Sequence, residues 1–526
     1  MRRAPLLAAL GAAILSLAPP GPAAARPLNV AVAVATQTMD PHGTTETNTL
    51  GVIMNVYEGL VRRGRDMAIE PALATRWELV EPTRWRFHLR PGVRFHDGTP
   101  LTVEDVAFSL RRAQSETSDA RPAVRAVARL EPVDENTFDL VTAAPAPVLL
   151  SELGNFYVMS RRWTEANNAG QPFTPTRGLG VENFATRNAN GTGPFRLRAY
   201  EAGQQVRLER NPDWWDRPAN DVTEVAFTPI ASDATRIAAL LAGDVDLINP
   251  MPEQAAAQIA ANPALRVIRG PRPAVMFLGM NGGGDRLRYG EAAGNPFRDV
   301  RVRRAVYAAI DDAALRRVAM RGAALPAGSM IPEGVEGFQS GMAAHPPADL
   351  AAARRLMAEA GYADGFAVTL DCTNDQYPGD ETVCTALAPM LARIGIRVSP
   401  RPESRARFFP RITGGDTSLY LMAWYAPTFD AHHILWNTMQ TKAGPNGSWN
   451  ATGWSNPAFD ALVDRIAVEM EPARRRDLIA EADRIERDDA VYAPLYQLTL
   501  AWAARANIDA VQRPDNRLDL RFVSVR

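Results

Sequence analysis

The clearest structural signals of the chain lie in the stretch Leu89-Arg-Pro-Gly-Val-Arg-Phe-His-Asp-Gly-Thr-Pro-Leu-Thr-Val-Glu-Asp-Val-Ala-Phe108. Apolar residues alternate before Arg90-Pro-Gly92 and return after it. Because Pro followed by Gly suits the centre of a type II turn, this part predicts a β-hairpin. Thr102 and Asp105 have the spacing of a capping box, which predicts a helix that continues through Leu110. The stretch therefore indicates a protein that mixes strands with helices.

The same mixture continues along the rest of the chain. Alternating residues from Leu28 to Val34 predict a first strand, and residues 195–200 and 205–210 predict a strand pair. Further helices are predicted to begin at Asp299, Asp349, Asp380 and Asn456. The pattern, which has no fixed-period repeat, is typical of an α/β or an α+β fold.

Size and composition restrict the function. The chain has 526 residues, more than one compact core usually holds, so two or more lobes are expected. Its 58 basic and 59 acidic residues nearly cancel, which argues against nucleic acid as a partner. The sequence has no phosphate loop, dinucleotide fingerprint, metalloprotease motif or serine-hydrolase motif. These observations disfavour ATP chemistry and the common motif-bearing enzyme classes. A secreted hydrolase with unrecognised paired acids is the alternative from another class.

The N-terminus has the features of a secretory signal. Arg2 and Arg3 precede the apolar run Leu6–Leu17, and Ala23-Ala-Ala25 offers a cleavage site. Residues 1–25 are therefore predicted to be a signal peptide, with a short anchor helix as the alternative. Since no cysteine lies near the cleavage site, a freely diffusing periplasmic protein is favoured over a lipid-anchored one.

Two small groups of residues suggest a cross-link or a metal site. Cys372 and Cys384 are 12 positions apart, and an exported protein can join them in a disulfide. A reactive or metal-binding cysteine pair is the alternative. The adjacent His432-His433 could bind a metal, but neighbouring side chains in a helix or strand point apart, so ordinary polar positions are favoured. No metal site is assigned.

Several further segments occur in an order typical of one protein family. They are Asp40-Pro41, Tyr57-Glu-Gly-Leu60, Gly191-Thr-Gly-Pro-Phe195, Arg298-Asp-Val-Arg-Val-Arg-Arg-Ala305, Ala360-Gly-Tyr362, Tyr420-Leu-Met-Ala-Trp424, Asn456-Pro-Ala-Phe-Asp460 and Ala493-Pro-Leu-Tyr496. Together with Leu89–Phe108, they resemble family five of the bacterial extracellular solute-binding proteins, which includes dipeptide, oligopeptide and nickel receptors of ABC importers. The resemblance covers nearly the whole chain after residue 25.

The resemblance implies an α/β, two-lobed periplasmic-binding-protein fold of type II, in the large class with an extra subdomain. Lobe I would comprise residues 26–270 and 492–526, with an inserted subdomain at about 61–190. Lobe II would comprise residues 271–491. Two hinge strands would cross between the lobes, at Pro273 to Asn281 and at Pro494 to Ala504.

The resemblance also implies a function and partners. The protein would be a monomer that captures a dipeptide, oligopeptide or similar small solute by lobe closure and delivers it to an ABC permease in the inner membrane. A nickel chelate, haem or another non-peptide solute is the alternative cargo. Neither enzymatic activity nor a cofactor is expected.

One position departs from the family pattern. Peptide receptors of the family have an aspartate three residues after the tryptophan that corresponds to Trp424, and it pairs with the peptide's amino group. Here Pro427 occupies that position, and the first carboxylate is Asp430. Asp430 is predicted to bind a ligand ammonium. The alternative is that it caps a helix that begins near Ala431.

The remaining candidate ligand-binding residues each have a structural alternative. Trp424 and Tyr425 could stack on a ligand or pack in the core. Thr44 and Glu46 follow the Asp40-Pro41 turn and could face the cleft or lie in a surface loop. Tyr496, on a predicted hinge strand, could bond a ligand carboxylate or pack in the core. Arg405 heads a basic run that suits carboxylates but is also typical of a solvated face.

Overall fold

The structure is a computed structural model that describes residues 26–217 and 221–526. The predicted signal peptide, residues 1–25, lies outside the described residues. No helix within 26–217 or 221–526 combines the length and the apolar character that crossing a membrane requires.

Strands occur along the whole described chain. They are β1 (Arg26–Val32), β2 (Val61–Arg63), β3 (Ile69–Pro71), β4 (Ala74–Glu81), β5 (Arg84–Leu89), β6 (Val127–Pro132), β7 (Thr137–Thr142), β8 (Phe195–Glu201), β9 (Gln205–Arg210), β10 (Val222–Pro229), β11 (Leu247–Asn249), β12 (Leu265–Met280), β13 (Gly290–Glu291), β14 (Ala324–Pro326), β15 (Phe366–Thr373), β16 (Ile396–Glu403), β17 (Leu419–Tyr425), β18 (Tyr492–Arg505), β19 (Ile508–Asp509) and β20 (Ser524–Val525).

Helices alternate with these strands. They are α1 (Thr47–Ile53), α2 (Val103–Gln114), α3 (Arg121–Val124), α4 (Leu149–Leu153), α5 (Arg161–Ala166), α6 (Asp233–Ala242), α7 (Ala256–Ala260), α8 (Val300–Ala309), α9 (Asp312–Val318), α10 (Leu350–Glu359), α11 (Asp380–Ala392), α12 (Arg405–Thr413), α13 (Ala431–Ile434), α14 (Pro457–Val468) and α15 (Pro472–Asp488). A π-helical turn, Leu435–Met439, continues α13.

Most strands join one long mixed sheet in the order β13-β15-β17-β12-β18-β11-β1-β10-β9-β8. The strands β12 and β18 lie at its centre and are antiparallel, with 16 and 14 residues. The C-terminal half of β12 also pairs with β17, whereas β18 pairs with β11 near its own C-terminal end. Both stretches predicted as hinge strands lie within strands, and β12 begins eight residues before the predicted start at Pro273. Their role as hinges stays a prediction.

The apolar cores lie on both sides of these crossing strands. On β18, Trp502 packs with the core around Leu28 and Val225, while Tyr492 packs with the core around Phe459 and Ile479. Further clusters lie around β15 and in the segment from Leu60 to Val158. The molecule therefore has two lobes with an additional subdomain. The exact lobe boundaries stay a prediction, which this packing supports.

The C-terminal segment returns to the first lobe. Leu518, Leu520 and Val523 are buried in the same core as Leu28. The amide of Asn55 reinforces this contact, since its Nδ2 donates to the carbonyl of Leu518 at 3.0 Å and its Oδ1 accepts from the N–H of Leu520 at 2.9 Å. A loop from the end of the chain thus reaches the cleft from the side of lobe I.

Local helix signals were predicted well from sequence. The capping box of Thr102 and Asp105 is present at the start of α2, which extends to Gln114. Asp299, Asp349 and Asn456 accept hydrogen bonds from the first N–H groups of α8, α10 and α14. The first residue of α11 is Asp380, and the N-cap is Gly379. The structure joins Cys372 at the end of β15 to Cys384 in α11 by a disulfide.

The hairpin predicted at Arg90-Pro-Gly92 is wrong. The strand before the turn, β5, pairs with β4 and β7 instead of with the residues that follow. Val93 and Phe95 are buried in the subdomain core within a loop, where the N–H of Phe95 donates to the carbonyl of Thr99. Burial by distant residues, which the local alternation does not reveal, decides the pairing. The predicted strand pair at 195–200 and 205–210 is confirmed as β8 and β9.

Candidate ligand-binding site

A cavity of about 440 Å³ is lined by residues of both predicted lobes and is called the interlobe cavity below. Lobe I contributes Thr44, Thr45, Thr47, Leu50, Asp119, Ala120, Pro122, Ala123, Arg125, Ser151, Glu152, Asn155, Asp515 and Arg517. Lobe II contributes Tyr425, Pro427, Thr428, Phe429, His433 and Trp436. A molecule in this cavity would contact both lobes at once.

The N-terminal end of α1 forms part of the lobe I wall. Thr44 is buried and lines the cavity, and its Oγ1 accepts a hydrogen bond from the N–H of Glu46 at 3.0 Å. Glu46 caps α1, because its carboxylate accepts from the N–H groups of Asn48 at 2.8 Å and Thr49 at 2.7 Å. Thr44 therefore has the position expected of a ligand-binding residue, whereas the Glu46 carboxylate is engaged in the helix cap.

Glu152 provides a carboxylate in the same wall, at the end of the short helix α4. Its side chain is only 5% exposed. Its Oε1 accepts from the guanidinium of Arg125, with Nε at 3.1 Å and Nη2 at 2.9 Å. Its Oε2 is buried and has no hydrogen-bond partner among the described residues. Burial raises the pKa of Glu152, and the nearby charge of Arg125 partly opposes that rise.

Arg517 provides a positive charge on the C-terminal loop of lobe I. Its Nη1 donates to Oδ1 of Asn155 at 2.7 Å. Across residues 26–217 and 221–526, no carboxylate forms an ion pair with it; the neighbouring Asp515 pairs with Arg513 at 2.6 Å. Arg517 is thus a cavity cation whose charge is not matched by an acidic side chain of the described residues.

The lobe II wall is aromatic. Tyr425, at the end of β17, is held next to the hinge because it pairs with Ala274 of β12, and its side chain is partly exposed to the cavity. His433 accepts a hydrogen bond from Nε1 of Trp424 at 3.4 Å. Burial lowers the pKa of His433 to about 4, so this ring is neutral near pH 7. Trp436 completes the wall one turn later.

Arg63, Ser151, Thr428 and Phe429 form the interlobe contact, which joins the lobes beside the cavity. Ser151 Oγ donates to the carbonyl of Thr428 at 2.6 Å and accepts from Nη2 of Arg63 at 2.8 Å. The Arg63 guanidinium lies 4.5 Å from the centre of the Phe429 ring. Phe429 has a φ of 56°, an unusual backbone conformation for a bulky residue. A second cavity, of about 550 Å³, is also lined by Ser151 and Phe429 and thus by residues of both predicted lobes.

Asp430 does not line the interlobe cavity. Its two carboxylate oxygens accept from Nη1 and Nη2 of Arg475 at 2.7 and 2.8 Å, and Oδ1 also accepts from the N–H of His432 at 2.9 Å. Both side chains of this ion pair are buried, and they lie at the second cavity. The structure therefore supports the helix-cap alternative for Asp430. The predicted contact with a ligand ammonium stays a prediction; in this structure Arg475 donates to both carboxylate oxygens of Asp430.

Three other predicted residues lie away from the interlobe cavity. Trp424 packs against His433 and against Trp449, whose ring centre is 5.3 Å away, and so supports the lobe II wall from behind. Tyr496 is fully buried in the core, which corresponds to its structural alternative. Arg405 is exposed in the first turn of α12, outside the residues that line the cavity.

The two side chains of the predicted His432-His433 pair stack on different tryptophans. His432 stacks on Trp436 with ring centres 6.2 Å apart, and His433 stacks on Trp424. Within the described ranges, no group of three or more His, Cys, Asp or Glu side chains could hold a metal ion.

Comparisons with known proteins agree with the two-lobed fold and the cleft. Residues 68–446 match the family "Bacterial extracellular solute-binding proteins, family 5 Middle". The chain belongs to this family and is a solute-binding protein.

Individual relatives match nearly the whole chain. The chain is 25% identical over 512 residues to the glutathione-binding protein GsiB of Salmonella typhi, a match that covers 95% of this chain and 94% of that protein. The structure of HbpA2 from Haemophilus parasuis superposes with a TM-score of 0.82 at 22% identity, covering 95% and 100% of the two chains. The dipeptide-binding protein of Pseudoalteromonas sp. SM9913 in complex with Met-Leu superposes with a TM-score of 0.67 at 20% identity, covering 95% and 100%. These structures share the fold of this chain.

Proposed function

We propose that this protein is the periplasmic receptor of an ABC importer and that it captures a short peptide between its lobes. The observation that carries the proposal is the interlobe cavity, in which lobe I presents charged groups and lobe II presents aromatic rings. A peptide offers matching groups, namely charged ends and apolar side chains. Glutathione and Met-Leu are the first ligands to test, since they are named for two similar proteins.

Arg517 is the residue we assign to the ligand carboxylate. Its guanidinium lines the cavity and has no acidic partner among the described residues, and arginine suits carboxylates because its parallel N–H groups match the two oxygens. Leaving such a charge partly desolvated is unfavourable, so an anionic ligand group would stabilise it. The cavity, at about 440 Å³, lies within the range usual for small-molecule sites.

Binding would be coupled to closure of the lobes. A ligand that contacts Arg517 on one wall and Tyr425 or Trp436 on the other stabilises the closed form relative to the open form. The closed form would then be recognised by the permease. The proposal includes no change in the ligand's covalent bonds, so the peptide should leave the protein unaltered.

Titration calorimetry with glutathione and Met-Leu, followed by mass spectrometry of the recovered ligand, tests this function. At least one peptide is expected to bind at micromolar concentration or below, which corresponds to about 8 kcal/mol or more, and to be recovered intact. Failure of both peptides to bind would overturn the proposed peptide specificity. Recovery of a hydrolysed peptide at an enzyme-like rate would instead favour a hydrolase.

A further inference from the structure

The lobe II wall has no carboxylate that could receive a ligand amine. Among the described residues, the lobe II side chains that line the interlobe cavity are aromatic, hydroxyl-bearing or proline, and Pro427 is one of them. The nearby Asp430 is bound by both terminal nitrogens of Arg475. If the ligand has an ammonium group, an acid on the opposite wall has to neutralise it, because an unpaired charge in a partly dry cleft is costly.

Three carboxylates of lobe I line the cavity, namely Asp119, Glu152 and Asp515. Asp515 accepts two hydrogen bonds from Arg513, at 3.2 and 2.6 Å, and another from a backbone N–H at 3.2 Å. Asp119 pairs with Arg177 at 3.0 Å, and the Arg177 side chain is 56% exposed, much as Arg125 is beside Glu152. Of these three acids, only Glu152 has a buried carboxylate oxygen without a hydrogen-bond partner among the described residues.

The surroundings of Glu152 leave room for a second cation. Its partner Arg125 contacts only Oε1, and the Arg125 side chain is 60% exposed. Pairing with a largely solvated guanidinium contributes little, so Arg125 does not satisfy the buried carboxylate as Arg475 satisfies Asp430. A buried acceptor without a donor is unfavourable. Oε2 is shielded by neighbouring protein atoms in this structure, so the Glu152 carboxylate has to turn toward the cavity before a ligand N–H group can reach it and relieve that cost.

We propose that Glu152 binds the ammonium group of the ligand through Oε2, so that recognition of the amine comes from lobe I instead of lobe II. This inference rests on the proposed function and specifies its substrate class: short peptides that carry a free, protonated amino group. It also assigns the two charged ends of the ligand to the same lobe, since Arg517 belongs to lobe I. Lobe II then closes over the ligand with aromatic side chains.

The position of Glu152 links amine binding to closure. Its neighbour Ser151 donates to the carbonyl of Thr428 across the cleft at 2.6 Å. A ligand amine at Glu152 would therefore lie one residue from a hydrogen bond between the lobes. In the open form, lobe I would hold the charged ligand first, and the aromatic wall of lobe II would close over it afterwards.

The test compares Met-Leu with N-acetyl-Met-Leu, which lacks the positive charge, on three forms of the protein. These are the wild type, Glu152→Gln and the control Glu104→Gln, which removes an exposed glutamate outside the cavity. The wild type and the control are expected to bind Met-Leu at least about tenfold more tightly than its acetylated form. Glu152→Gln is expected to lose that preference, with little change in its affinity for N-acetyl-Met-Leu.

The outcomes separate this inference from the proposed function. If the wild type binds Met-Leu but Glu152→Gln keeps the full preference for the free amine, the inference is overturned and the peptide receptor stands. If the wild type binds neither Met-Leu nor glutathione, the proposed function fails and the inference with it. Should Glu152→Gln not fold, the wild type alone decides: equal affinity for Met-Leu and N-acetyl-Met-Leu would refute a carboxylate that binds the amine.

Discussion

Two buried carboxylates flank the cleft, Asp430 on lobe II and Glu152 on lobe I, and they differ in what surrounds them. The side chains are 6% and 5% exposed, so burial does not distinguish them. Asp430 is held by a buried arginine and a backbone N–H, whereas Glu152 has one largely exposed arginine and a carboxylate oxygen without a hydrogen-bond partner among the described residues. The comparison shows that the bonding of the Asp430 carboxylate is complete within the protein, whereas Glu152 keeps a carboxylate oxygen that the proposal above assigns to a ligand.

The largest expected effect concerns the Asp430 side of the comparison. Asp430→Asn keeps a cap for α13 but leaves the buried guanidinium of Arg475 without a counter-charge. The free energy of unfolding is expected to fall by about 3–5 kcal/mol, as for other buried ion pairs that lose one partner. Chemical denaturation measures this change in the free energy of unfolding.

The double variant Asp430→Asn with Arg475→Met is the matched control, because it removes the uncompensated charge and should recover part of the lost stability. The folded fraction of Asp430→Asn should bind Met-Leu as the wild type does. A stable Asp430→Asn protein with strongly weakened binding would reverse the roles assigned to the two carboxylates.

The next effect concerns Arg517, the positively charged residue of the lobe I wall. Arg517→Gln removes the cavity cation and is expected to weaken Met-Leu binding by about tenfold or more, because a hydrogen-bonded charge pair contributes about 1.5–3 kcal/mol. The amide of Met-Leu, which lacks the carboxylate, should bind both forms equally. Calorimetry with Arg405→Gln as the exposed control checks the result, and equal losses for Met-Leu and its amide would exclude a contact with the carboxylate.

A smaller effect should appear as a pH dependence. Burial raises the pKa of Glu152, and the charges that act on this group are Arg125, which lowers the pKa, and Asp430, which raises it. Only ionised Glu152 attracts an ammonium, so Met-Leu affinity should fall as the pH drops through that pKa, by at most about tenfold per pH unit. Glu152→Gln should lack this dependence, and a wild-type affinity that is independent of pH from 7 to 4.5 would contradict the assignment.

The same pKa shift predicts the sign of a stability change. A carboxyl group whose folded pKa is raised stabilises the fold below its unfolded pKa, and this contribution is lost as the pH rises through the folded pKa. Ionisation of Glu152 is therefore unfavourable for folding. Glu152→Gln should unfold at a temperature equal to or above that of the wild type at pH 7, and a clear loss of stability would indicate a structural role.

The smallest effect is expected on the aromatic wall. Trp436→Leu removes a flat face that could stack on the ligand, and such contacts contribute about 0.5–1.5 kcal/mol. Affinity should fall about threefold to tenfold for Met-Leu and for its acetylated and amidated forms alike, because the contact does not involve charge. Phe184→Leu, at an exposed aromatic outside the cavity, serves as the control. A loss confined to the charged ligand would show that this wall also recognises charge.

The fold could be predicted from the sequence where local chemistry decides it. The capping box at Thr102 and the caps at Asp299 and Asn456 depend on neighbours within three residues, and all were correct. The hairpin at Arg90-Pro-Gly92 failed because Val93 and Phe95 are buried by distant residues. The hinge strands were predicted from the family resemblance and not from periodicity.

The site could be predicted only in part, because its chemistry depends on pairs far apart in sequence. Thr44 and Tyr425 line the cavity as expected. The sequence did not reveal that Asp430 pairs with Arg475, because this partner lies 45 residues away in another helix. Glu152 had a detectable signal, an acid within the apolar run Leu149-Leu-Ser-Glu-Leu153. Arg517 had no such signal in the sequence, because only the return of the C-terminal loop places it at the cleft.

A crystal structure of the protein with Met-Leu tests the central claim most directly. The account predicts the peptide in the interlobe cavity, with its amino group within hydrogen-bond distance of Glu152, its carboxylate at Arg517 and the rings of Tyr425 and Trp436 over it. A peptide bound in the second cavity, or one whose amino group contacts Asp430 after displacing Arg475, would contradict the account.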